Sequence, residues 1–275
     1  MKKVTKKLGV GLVSLMGFGV INTVTNVSAE MVGEADTKSD VKFVAPGPDE
    51  EGDIIKPDTP DDKIKPEGGG QTKGALRISH VPDIHFGTQK ISSDIETVYT
   101  SINERYQALS AADETLDQEI YSIPHFAQVV DERGQTKGGE WQLLVKATTF
   151  KSSNSEVPEL TGTYISMKEQ QIFNTVHEQS ELDKRVIGFD CKTGIKLSSE
   201  SVEILAVKAG QHTSCTKTSS VFNDSYTSET DYHVDNDYEK DSRNTGIRLH
   251  TFAKDVKMKD EVYASTLTWT LNDAL

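Results

Sequence analysis

The only two tryptophans of this 275-residue chain stand in the same local frame, Trp141-Gln142-Leu143 and Trp269-Thr270-Leu271. In a strand, residues i and i+2 point to one face, so each triplet sets an indole beside an isobutyl group. Trp141, Leu143, Val145 and Ala147 share one such face; Leu267, Trp269 and Leu271 share another, with Thr266, Thr268 and Thr270 opposite. Two roles fit a stripe of this kind. Buried, it is core, where Trp→Ala costs roughly 3–5 kcal/mol. Exposed, it is a platform on which sugar C–H faces or a partner surface stack. Spacing alone leaves the choice open, the core role being the commoner.

Other reactive side chains are less organised. Cys191 and Cys215 enclose 23 residues and, in an exported chain, make a candidate disulfide; closing such a loop contributes about 3 kcal/mol. Asp235, Asp237, Glu239 and Asp241 alternate in an acidic run, a spacing that can hold Ca²⁺. The run lacks the sixth-position glycine and terminal glutamate of an EF-hand, so it reads as a solvated loop and no metal site is assigned. The seven histidines include no HExxH pair, and neither a GxSxG elbow nor a phosphate loop occurs. His80 and His85 flank Pro82-Asp83 at a strand end, a surface turn rather than a ligand set. The chain therefore reads as a non-enzyme without catalytic residues or cofactors. Paired glycosidase carboxylates leave no local signature, so glycan hydrolysis stands as a minor alternative.

The elements that would position these residues follow from composition. Residues 1–29 read as a secretory signal peptide: Lys2, Lys3, Lys6 and Lys7, an apolar run over 8–20, then small residues before a cut after Ala29. That run is shorter than the roughly 20 residues of a bilayer span. No second long apolar segment follows, so no transmembrane segment is expected in the mature chain. Removing the leader takes the formal charge from −13 to −17. Such a balance argues against nucleic-acid partners, which need clustered Lys and Arg, and against attraction to anionic surfaces.

Residues 30–45 read as an N-terminal segment with one strand, in SDVKFVA at 39–45. Residues 46–73 read as an acidic Pro/Gly-rich linker, because 46–70 hold five of the eight prolines and eight acids against three lysines. Fixed φ, missing donors and like-charge repulsion should keep it extended and solvated. From 74 to 275, short β-rich runs alternate with turn residues, at 76–80, 126–130, 140–149, 160–167, 201–208, 246–252 and 264–271. The pattern predicts an all-β, sandwich-like single domain. Residues 94–120 fit either strand or helix, and 110–120 make a candidate short helix behind an N-cap-like Ser110.

The two triplets, together with GALRISHVPDIHFGTQKIS at 74–92, PHFAQVVDERG at 124–134, EWQLLVKA at 140–147, ELTGTYISM at 159–167, ILAVKAGQ at 204–211 and YASTLTWTLNDAL at 263–275, carry a resemblance. The chain resembles the WxL-domain surface proteins of Gram-positive bacteria over nearly all of its mature length. Two spaced Trp-x-Leu triplets are specific where one alone would be weak. The resemblance implies a secreted, β-rich protein of the cell surface and cell wall. It would be held non-covalently, with peptidoglycan as target and Trp141, Leu143, Trp269 and Leu271 as the binding motif. It also implies WxL-interacting and other WxL surface proteins as partners and, for some members, host extracellular matrix. The chain departs from the commonest pattern in its two cysteines and its acidic stretch at 219–244.

Neither an LPxTG-like sorting signal nor a lipidation cysteine is present, so non-covalent retention is the expectation. Wall teichoic polymers are anionic and should repel this protein. Binding is therefore expected to rest on hydrogen bonds and apolar contacts, with weak salt dependence.

Overall fold

The computed structural model describes residues 38–110, 115–233 and 243–273. The chain divides into two units, residues 1–43 and 44–275. Of the first, residues 38–43 are described; they are exposed and carry no regular structure. The strand expected over 39–45 does not form: Val41, Phe43 and Val44 are 74%, 86% and 80% exposed and pair with nothing among the described residues.

In the second unit the strands are, in chain order, β1 (Ile54–Lys56), β2 (Thr59–Pro66), β3 (Leu76–His80), β4 (Glu96–Ile102), β5 (Glu104–Ala108) and β6 (Tyr121–Ile123). Next come β7 (Phe126–Asp131), β8 (Trp141–Ala147), β9 (Lys151–Ser152), β10 (Tyr164–Met167) and β11 (Gln171–Asn174). One α-helix, α1 (Gln179–Arg185), follows. After it lie β12 (Val186–Gly188), β13 (Ile195–Lys196), β14 (Val202–Val207) and β15 (Thr216–Val221). The last are β16 (Tyr232–His233), β17 (Arg243–Phe252), β18 (Tyr263–Ala264) and β19 (Leu267–Asp273).

Every strand pairing among the described residues is antiparallel. Three four-stranded sheets have the orders β13-β10-β17-β4, β11-β15-β7-β3 and β12-β14-β8-β19. A five-stranded sheet, β1-β2-β5-β6-β16, and the ribbon β18-β9 complete the set. The all-β expectation holds, with one short helix, but the sandwich does not. The sheets form a four-bladed, propeller-like ring. No local pattern distinguishes these arrangements, because both are built from short amphipathic strands.

Strand β7 shows how the ring is filled. All six of its residues are buried. Ala127 and Val129 enter the larger core with Ile78, Leu143, Ile165 and Ile247. Phe126 enters a smaller one with Ile54, Ile64, Tyr106, Ile123 and Val221. A strand covered on both faces reads as a continuous apolar run, as FAQVV nearly does.

The polar residue in that run, Gln128, explains the largest departure from expectation. Residues 54–66 lie within the stretch read as a solvated linker, yet they form the β1–β2 hairpin, with Lys56 opposite Thr59 across Pro57-Asp58. Gln128, fully buried, accepts from the Ile55 N–H at 3.1 Å and donates to the Ile55 carbonyl at 3.0 Å. Its amide thereby acts as a strand partner for β1. Ile54, Ile55 and Ile64 are buried, and their apolar burial outweighs the proline and acid content.

The candidate helix over 110–120 is not borne out where it can be followed. Residues 111–114 lie outside the described residues, and Leu116 instead bridges Leu109. The ambiguous start of that region is strand β4.

Candidate functional site

The two Trp-x-Leu motifs meet. Strands β8 and β19 are neighbours, with Leu267 opposite Ala147, Trp269 opposite Val145, Leu271 opposite Leu143 and Asp273 opposite Trp141. Directly paired residues share a face. Both motifs therefore contribute to one continuous surface, although they lie 128 residues apart in the chain.

Their environments differ. Trp141, Leu143 and Val145 are 0% exposed. The Trp141 Nε1–H donates to Thr213 Oγ1 at 2.9 Å, which satisfies the one polar atom that burial would otherwise strand. Strand β14 covers the opposite edge of β8, with a bulge between Glu203 and Leu205 that sends both Ile204 and Leu205 inward. Leu267, Trp269 and Leu271 are only half-buried, at the edge of the sheet, and pack against the same core. The Trp269 indole lies 6.3 Å from the buried Phe222 ring, tilted by 32°. Of the two indoles, one is core and the other lies where core meets solvent.

Arg133 fixes the end of this strand pair. Its guanidinium donates to both carboxylate oxygens of buried Asp131, to the Gly139 carbonyl and to Asp273 Oδ1. Hydrogen bonding to Asp131, ahead of the opposing effect of burial, holds the guanidinium above its ordinary pKa. The β7–β8 turn and the tail of β19 are thus joined through one side chain. At the other end, Thr148 N–H donates to the Thr266 carbonyl at 3.0 Å and Thr266 N–H to Thr148 Oγ1 at 2.9 Å.

The remaining candidates separate. Cys191 and Cys215 are free, exposed thiols, so the candidate disulfide is not formed. Cys191 sits in the turn after β12, and Cys215 enters β15 in a different sheet at φ 63°. The acidic run at 235–241 lies outside the described residues. Among the described residues, no group of three His, Cys, Asp or Glu side chains is placed to hold a metal ion.

His80 is not part of a surface turn. It is 1% exposed, bonded through Nε2 to Glu104 Oε2 at 2.8 Å, with its ring 4.5 Å from Phe126. His85 is exposed, as expected. Nothing in its neighbours along the chain marks His125. It is fully buried, its Nδ1 faces Asn244 Nδ2 at 3.2 Å, and burial lowers its pKa to about 4 against the pull of Glu104.

Thr213, Phe222 and His125 were invisible to spacing, because the partners named here lie 72, 47 and 119 residues away. Arg133 has a local partner in Asp131, but its link to β19 runs to Asp273, 140 residues on.

The family profile described as WxL domain surface cell wall-binding matches residues 30–274. The chain belongs to this family, which places it at the cell surface and cell wall. No curated protein and no solved structure matches it. Among the described residues, no helix is long and apolar enough to cross a membrane.

Proposed function

We propose that this protein is a non-enzymatic surface module, exported behind a leader at 1–29, that holds Gram-positive peptidoglycan without a covalent bond. The observation that carries the reading is the direct pairing of the two Trp-x-Leu motifs on β8 and β19, in a chain of a wall-binding family. In this reading the four motif residues divide the work. Trp141 and Leu143 brace the face from within, while Trp269 and Leu271 are the part that a ligand reaches at the sheet edge. An apolar, hydrogen-bonding face also suits a protein whose charge opposes anionic wall polymers.

A second reading is favoured by the edge position of β19, whose outer side carries no strand of its sheet among the described residues. Such an edge can accept an extended segment of a protein partner, such as a membrane-anchored WxL-interacting protein or a host-matrix protein. Sedimentation with purified, protein-free peptidoglycan, against the same wall carrying its proteins, separates the two. Direct binding requires co-sedimentation with the bare glycan; capture by the protein-bearing wall alone gives the second reading.

A further inference from the structure

Where the β8–β19 ladder stops, a groove of about 220 Å³ opens. That is smaller than the ~300–1,000 Å³ of a drug-sized site and is the room of a single sugar ring. Its floor is apolar, formed by Ala147, Phe150, Ile165 and Leu197, all buried. Its rim is made of hydroxyls. Those of Thr149, Thr161 and Ser199 make no hydrogen bond among the described residues. Thr163, by contrast, is fixed, donating to buried Asp255, which also takes the Gly162 N–H. One wall of the groove is therefore rigid, and its open polar groups face solvent.

Lys196 lines the groove, and Lys254, beside Gly162 and outside the lining, has its Nζ 5.6 Å from the centroid of the Phe252 ring. Lys196 Nζ lies 3.9 Å from the centroid of the Tyr164 ring. Lys254 runs so close to Gly162 that a Cβ there would come within 2.5 Å of its Cε. Neither lysine has a carboxylate partner among the described residues, in a chain with 43 acids against 30 basic residues. Tyr164 is held upright by a stack on His250 at 4.5 Å and 8°, and His250 is bonded to Glu96 and Ser166. The ring thus keeps Lys196 at the lip of the groove, poised but unneutralised.

We propose that this groove seats one pyranose ring bearing a carboxylate. The ring's C–H face lies on Phe150 and Leu197, its hydroxyls meet Thr149, Thr161 and Ser199, and its carboxylate meets Lys196 and Lys254. The proposal deepens the wall-binding reading and rests on it for the glycan class. Uronic acids carry such a carboxylate on the ring, and muramic acid offers its lactyl carboxylate where no stem peptide is attached to it.

The test is an amide-shift titration of the ¹⁵N-labelled protein with N-acetylmuramic acid, glucuronic acid and, as a neutral comparator, N-acetylglucosamine. The expected result is a saturable shift of the Gly162, Thr163 and Ser199 amides with at least one acid. In the variant Lys196→Gln/Lys254→Gln, the Kd for that acid rises at least fivefold while that for N-acetylglucosamine is unchanged. Tighter binding of N-acetylmuramic acid assigns the groove to peptide-free muramic acid of the wall, and tighter binding of glucuronic acid assigns it to uronic acid polymers. No saturable shift with either acid, or an unchanged Kd in the variant, overturns the proposal. Sedimentation of the unaltered protein with purified peptidoglycan, run in parallel, judges the wall reading separately. Shifts without sedimentation retain the groove and reject wall binding; sedimentation without shifts does the reverse.

Discussion

Leu143 and Leu271, the leucines of the two Trp-x-Leu motifs, stand directly opposite each other on adjacent antiparallel strands. The repeated triplet is therefore a matched cross-strand pair, and the two tryptophans lie at staggered positions along one face. A one-residue slip would turn every motif side chain of β19 outward. The threonines that alternate with them would then face the core.

The motif tryptophans should respond differently to truncation. Trp141→Ala empties a fully enclosed site and should cost about 3–5 kcal/mol in denaturant unfolding. Trp269→Ala removes a half-buried ring and should cost roughly 1–2 kcal/mol, while wall sedimentation drops at least tenfold. Equal stability losses with undiminished retention would make both indoles structural.

Arg133→Ala should destabilise the protein by about 3 kcal/mol, because it leaves the buried Asp131 carboxylate without its cation. Asp273→Asn, at the exposed end of the same network, should cost no more than about 1 kcal/mol. Chemical denaturation of the two variants provides the comparison. A costlier Asp273 would mean that the tail of β19, rather than the β7–β8 turn, depends on the arginine.

Acid should weaken the fold through His125. Its imidazole stays neutral in the folded protein down to about pH 4, whereas an unfolded histidine takes up a proton near 6.5. Between these values the unfolded chain binds more protons, so this contribution is complete above 6.5 and is lost as pH falls toward 4. The loss should approach roughly 3 kcal/mol. His125→Gln should flatten the profile across that window; an unchanged slope would place the acid sensitivity elsewhere.

Gln128→Ala should release the hairpin that its amide holds. Leaving the Ile55 N–H and carbonyl unpaired in a buried setting should cost about 1–3 kcal/mol. Hydrogen exchange over residues 54–66 should rise ahead of exchange in β8. Uniform exchange in the variant would show that the hairpin is held by its isoleucines alone.

Wall retention should vary by less than about threefold between roughly 50 and 500 mM NaCl. Screening relaxes the repulsion between an acidic protein and anionic polymers while it weakens any local lysine contact. A steep loss with salt would assign the attachment to ion pairing.

The inward face of β8 was legible in advance because Trp141, Leu143, Val145 and Ala147 alternate without interruption. Strands β3, β7, β10, β14, β17 and β19 also fall in runs read from the sequence, whereas β5, β6, β11, β12, β13 and β15, among others, do not. The β1–β2 hairpin was not, since its three isoleucines sit among prolines and carboxylates. What buries them is a glutamine 73 residues beyond Ile55. Pairing of β8 with β19 was equally out of reach, because an amphipathic strand declares its period and not its neighbour. His80 looked like part of a turn because its burial depends on Glu104 and Phe126, which no spacing rule connects to it. The cysteines looked paired because parity and loop length say nothing about which sheet each thiol joins.

The order of the motif strands has a bearing on folding. Both partners of β8 follow it in the chain, β14 first and β19 more than a hundred residues later. The face that both triplets share is therefore complete only when the last strand has joined the sheet. Long-range closure of this kind is slow compared with hairpin formation, so the shared face should be among the last parts of the molecule to form.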